Sequence, residues 1–93
     1  MNKIVTKLIT VSGKVQGVGF RYFVYNSAIA ITNLKGWVKN MPDKTVKIIV
    51  SGTEDRVEAL ISRIRMGNSL SRVENVSILD YYSNENLNNF LII

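Results

Sequence analysis

The first fifteen residues alternate. From Val5 to Val15 the odd positions read Val, Lys, Ile, Val, Gly, Val against mostly polar even positions, the period-two pattern of a half-buried strand. From Arg21 the period changes to three and four. Phe20, Phe23, Val24, Ala28 and Ile31 then share one helix face, and Asn33 suits the left-handed residue that ends such a helix. "KGWVKN" reads as a short strand, "MPDK" as a turn with Pro42 at its second position, and "TVKIIVSG" as the partner strand of a hairpin. The second helix is the clearest element. Thr53 stands where a cap is needed, Glu54 and Asp55 suit the positive N-terminus, and Arg63 and Arg65 suit the other end. Val57, Leu60, Ile61 and Ile64 form its buried stripe, and Gly67 stops it. "RVENVSIL" supplies another strand and "NFLII" a short terminal one, with the polar, asparagine-rich stretch 83–89 between them as a loop.

This order, with no internal repeat or linker, predicts a single α+β domain over residues 1–93. The topology is ferredoxin-like: a βαββαβ two-layer sandwich with a short extra C-terminal strand, an antiparallel sheet and two helices on one face. The first and second strands then run parallel, so their C-terminal ends share one sheet edge. Arg21 follows the first and Asn40 ends the second, and the topology brings them together.

Composition narrows the chemistry. The chain has 93 residues, 46% hydrophobic and 20% charged, enough for one core and too few for two. It contains no cysteine and no histidine. Disulfides, thiol nucleophiles, histidine bases and the commonest zinc sites are therefore excluded. The net charge of +5 fits either an anionic partner or simple solubility. Lys3, Thr6, Lys7 and Thr10 interrupt the apolar residues near the N-terminus, and no later run is long enough for a bilayer. A cytoplasmic protein without a membrane partner is expected. "NFLII" could form an edge strand open to pairing, but a monomer is the expectation.

The stretch "KVQGVGFRYF" puts Gly17 and Gly19 before a fixed positive charge at the strand-to-helix junction. Glycine permits positive φ, and a helix N-terminus offers unpaired N–H groups and a positive dipole end. A phosphate-sized dianion fits there, and Arg21 could add a two-pronged contact that lysine could not. On this pattern alone two readings stay open for Gly17 and Gly19, a tight turn or an anion cradle. Arg21 could equally pair with a surface carboxylate, and Asn40 could serve the turn at Pro42.

Taken together, "GKVQGVGFRYFV", "KGWVKN", "GTEDRVEALISRI" and "RVENVSI" resemble the acylphosphatase family along essentially the whole chain. The resemblance implies the ferredoxin-like fold and hydrolysis of the carboxyl–phosphate bond of acyl phosphates, without metal or cofactor. It places the phosphate-binding arginine on Arg21 and the water-positioning asparagine on Asn40. The phosphate cradle falls on the backbone of Gln16, Gly17, Val18, Gly19, Phe20 and Arg21. The chain also departs from the family pattern. Between Arg21 and Gly36 it is one residue longer, with Asn33 in glycine's place, which could shift Asn40. Lys44 occupies a turn position where glycine is usual, and "MGNSL" replaces a glycine-proline segment, implying a less rigid loop.

The residue inventory suits this reaction independently. An acyl phosphate leaves as a stable carboxylate, so no general acid is needed, and phosphoryl transfer asks mainly for positioning and charge stabilisation. The competing reading is RNA binding, since "VGFRYFVY" imitates an RNA-recognition consensus. The imitation fails: Arg21 stands where a small residue is needed, and the stretch opens a helix rather than lying on a central strand. Small acyl phosphates, not nucleic acid, are the expected partners. A non-catalytic module that binds a phosphorylated ligand is the other alternative, because the family also occurs within larger maturation proteins that use carbamoyl phosphate.

Overall fold

The computed structural model describes residues 3–82 and 86–93. In chain order the elements are β1 (Ile4–Lys14), α1 (Phe20–Ile31), β2 (Lys35–Asn40), β3 (Val46–Thr53), α2 (Glu54–Met66), β4 (Arg72–Asp80) and β5 (Phe90–Ile92). The sheet order is β4-β1-β3-β2-β5. β1 pairs antiparallel with both β3 and β4, and β2 pairs antiparallel with β3. β1 and β2 therefore run parallel on either side of β3 and end at the same edge, as the sequence implies.

One detail of the sheet differs from the expectation. β5 lies parallel to β2, with Gly36 opposite Phe90 and Val38 opposite Ile92, so the sheet is mixed. β4 runs opposite to β2, and the chain reverses before adding its last strand at the other edge. That strand must then run with β2. Residues 83–85 of the predicted polar loop lie outside the described residues, and residues 86–89 form no helix or strand.

The two periodicities build the core. Ile9 and Val11 of β1, Val38 of β2, and Val46, Ile48 and Val50 of β3 line the helix-covered face. Phe20, Val24 and Ala28 of α1 and Val57, Leu60, Ile61 and Ile64 of α2 close it from above. Leu60 and Ile64 are fully buried, so truncating either to alanine costs about 2–5 kcal/mol. None of the helices among the described residues is long and apolar enough to cross a membrane.

Local chemistry fixes the ends of these elements. Thr53 takes the extended N-cap conformation, yet its hydroxyl makes no capping hydrogen bond. The Glu54 N–H at the first helical position donates to the Lys3 carbonyl at 2.8 Å. At the end of α1 two residues carry positive φ, Thr32 at 73° and Asn33 at 57°. Asn33 adopts the left-handed conformation expected of it, whereas Thr32, with ψ 157°, sits where glycine is normally found. The β2–β3 turn is closed by Lys44 N–H donating to the Met41 carbonyl at 3.1 Å, with Lys44 at φ 74°. The α2–β4 loop is more tied than its lack of proline suggests. Ser71 Oγ accepts from the Asn68 N–H at 2.9 Å and donates to the Asn68 carbonyl at 3.0 Å, beside a backbone bond between the same two residues.

Candidate active site

The site grows out of the end of β1. Val15 is buried and anchors the strand end, and Gly17 and Gly19 then turn the chain at φ 72° and 74°. Gly19 is the N-cap of α1, and its carbonyl accepts the Phe23 N–H at 3.0 Å. The N–H groups of Phe20, Arg21 and Tyr22 consequently have no partner within the helix. No acidic side chain stands in this first turn, so the positive end of the dipole is left uncompensated. The side chains of Phe20 and Val18 are buried, which leaves those two residues only their backbone to offer.

A cavity of about 100 Å³ opens at this point, lined by Val15, Gly17, Gly19, Phe20, Arg21, Tyr22 and Asn40. With roughly 30 Å³ to a water molecule, it has room for a phosphate-sized group. Asn40 reaches it because β2 and β1 end at one edge. Its Oδ1 is buried and accepts no hydrogen bond from the described residues. Arg21 Nη1 donates to the backbone oxygen of Ile93 at 3.3 Å, so β5 brings an acceptor up to the guanidinium.

Gln16 ties the two halves of the site together. Its Nε2 donates to the Met41 and Thr45 carbonyls, each at 2.9 Å, and so clamps the base of the hairpin immediately after Asn40. A larger cleft of about 450 Å³ between α1 and β5 is lined by Tyr25, Ile29, Leu34, Lys35 and Leu91, among others. That cleft is lined by no arginine and no helix N-terminus, whereas the smaller cavity has both.

The sequence profile of the acylphosphatase family matches residues 7–92. The chain belongs to the acylphosphatase family. An acylphosphatase from Chlorobaculum tepidum is 49% identical over 70 residues, covering 75% of each chain. The crystal structure of the acylphosphatase from Bacillus subtilis superposes with a TM-score of 0.89 at 36% identity, covering 98% of this chain and 99% of that one. A crystal structure of HypF from T. kodakarensis aligns with a TM-score of 0.82 at 34% identity, over 94% of this chain but only 11% of HypF.

For this acylphosphatase-family chain, five of the residues singled out by sequence line the one cavity: Gly17, Gly19, Phe20, Arg21 and Asn40. Gln16 and Val18 do not. Gln16 directs its side chain to the hairpin, and the Val18 carbonyl accepts a hydrogen bond from Asn68 Nδ2 at 2.7 Å. Sequence reasoning missed Val15 and Tyr22 as lining residues, and it missed the contacts made by Asn68 and Ile93. Tyr22 directly follows Arg21 and was legible from position alone. Nothing in the sequence marks Asn68, because its partner lies in another loop.

Proposed function

We propose that this chain is a working acylphosphatase, hydrolysing the carboxyl–phosphate bond of small acyl phosphates to carboxylate and inorganic phosphate without metal or cofactor. The observation that carries this reading is the shared cavity, where Arg21 and Asn40 meet beside Gly17, Gly19 and the open end of α1. The loop and helix N–H groups and the Arg21 guanidinium would hold the phosphoryl oxygens, whose charge is spread in the transition state. Asn40 would orient the attacking water from its place on the cavity wall, beside Arg21. Water oxygen bonds to phosphorus as the bond to the acyl oxygen breaks, and the carboxylate leaves with that bond's electrons. A carboxamide is too weak a base to take the water's proton, so a phosphate oxygen takes it. A rate that stayed flat as the substrate's phosphate was protonated would refute that last step.

The deciding assay uses a simple aromatic acyl phosphate with chelator present. Wild type hydrolyses it, and Arg21→Ala loses nearly all turnover while staying folded, because Arg21 contributes no core contact. Normal turnover in Arg21→Ala sinks the site assignment. A monomeric, cytoplasmic enzyme goes with this reading, checked by sedimentation and cell fractionation. The alternative, a module that binds a phosphorylated ligand without turning it over, is not favoured by the acylphosphatase relatives. Phosphate binding with no hydrolysis in the same assay would select it.

A further inference from the structure

We infer that Asn68 is a positioning residue for the phosphate cradle, an inference that rests on the phosphate-binding reading of the loop. Its carboxamide Nδ2 donates to the Val18 carbonyl at 2.7 Å, across fifty residues of sequence. The trans peptide plane sets the Gly19 N–H antiparallel to that carbonyl. Fixing the carbonyl toward the α2–β4 loop therefore turns the Gly19 N–H to the opposite side, and Gly19 lines the cavity while Val18 does not. Gly19 crosses freely between positive and negative φ, so on its Gly19 side the peptide between Val18 and Gly19 is weakly held by the backbone and gains from a side-chain anchor.

The surrounding loop is organised to present this carboxamide. Gly67, at φ 70°, turns the chain out of α2, and a Cβ there would come within 2.6 Å of Ser71 Oγ. Ser71 then holds the Asn68 backbone through its N–H and its carbonyl, at 2.9 and 3.0 Å. The carboxamide orientation follows from its partner, since only the NH₂ end can donate to a carbonyl. Oδ1 is thereby left buried, with no hydrogen bond from the described residues. A hydrophobic side chain would avoid that burden. An asparagine at this position is therefore poorly explained by stability and well explained by its hold on Val18.

The test measures inorganic phosphate binding by calorimetry and, where there is turnover, KM and kcat. The variants are Asn68→Ala and Asn68→Leu, the second keeping the branched outline and removing the unpaired oxygen. Both should weaken phosphate binding and raise KM together by about 3- to 10-fold, the effect of one hydrogen bond, with kcat changed less than KM. Asn68→Leu should keep the wild-type melting temperature, so a merely structural role predicts unchanged phosphate affinity there. Wild-type affinity in Asn68→Leu overturns the inference, even if hydrolysis itself is normal. In wild type the Gly19 amide resonance should move on phosphate titration, and a static Gly19 amide also overturns it. Absence of hydrolysis with these binding changes intact would count against the enzyme reading alone.

Discussion

Asn40→Ala separates a catalytic asparagine from a structural one, because the two roles predict opposite signs for stability. Asn40 ends β2 opposite Val46 and is half-buried, and its Oδ1 is enclosed without a hydrogen bond from the described residues. An enclosed acceptor without a partner costs about 1–3 kcal/mol, and deleting it recovers that penalty against the lost packing of the carboxamide. A net gain of about 0–1 kcal/mol leaves the melting temperature unchanged or raises it by up to about 8 °C in a domain of this size. Turnover moves the other way. Loss of one transition-state hydrogen bond lowers kcat by about 10²-fold, or about 2.7 kcal/mol. The assays are thermal unfolding by circular dichroism and steady-state hydrolysis of an aromatic acyl phosphate, on the same preparation. A variant that melts several degrees lower with kcat intact would show that Asn40 serves the hairpin and not the water.

Five further substitutions and a pH series test the backbone and the charges. Gly17→Ala finds open space but left-handed φ, so it should fold with about 1–2 kcal/mol less stability. Gly36→Ala would drive its Cβ into the Ile49 backbone and should not fold, and two variants with equal melting temperatures would refute that contrast. Lys44 and Thr32 both sit at positive φ, so Lys44→Gly should stabilise by about 1 kcal/mol and Thr32→Gly by about 1–3 kcal/mol, read from urea midpoints. A loss of stability in either would show that the strain is absent. Asp80 is held below the usual carboxylate range by the Lys7 ammonium, and Asp43 by the Thr45 hydroxyl and then its N–H. Depressed carboxyl values give stability present above 3.8 and lost as pH falls through the folded values, while Lys7, raised above 10.5, loses its share only at still higher pH. Melting temperature should thus fall on the acid limb, and Asp43→Asn should flatten that limb; an unchanged limb would contradict the pairing.

The elements were legible because their periods are strong and their ends carry glycine, proline or charge. Even the meeting of Arg21 and Asn40 was readable, since it follows from two parallel strands ending at one edge rather than from any side-chain detail. What escaped the sequence depends on contacts between segments far apart along the chain. The parallel pairing of β5 with β2 leaves no periodic trace in three residues. The double hydrogen bond from the Gln16 side chain to the Met41 and Thr45 carbonyls joins two segments about 25 residues apart, and nothing in the sequence marks it. The Thr53 hydroxyl shows the reverse error: a capping residue stands in place, but its hydroxyl makes no capping hydrogen bond.

The segment between Arg21 and Gly36, read as one residue longer than the family pattern, holds two positive-φ residues, Thr32 and Asn33, between α1 and β2. These stand at the far ends of both elements from the site, which uses the start of α1 and the end of β2. Between them and Asn40, the β2–β3 register runs unbroken from Lys35 opposite Ser51 to Asn40 opposite Val46. A strand held by six consecutive cross-strand pairs cannot pass a local loop distortion along its length without slipping by whole residues, and a one-residue slip would move Val38 from the core to solvent. Val38 is fully buried, so the register is pinned and Asn40 with it. The positive-φ backbone is confined to Thr32 and Asn33, and the sheet edge that carries Asn40 keeps its register.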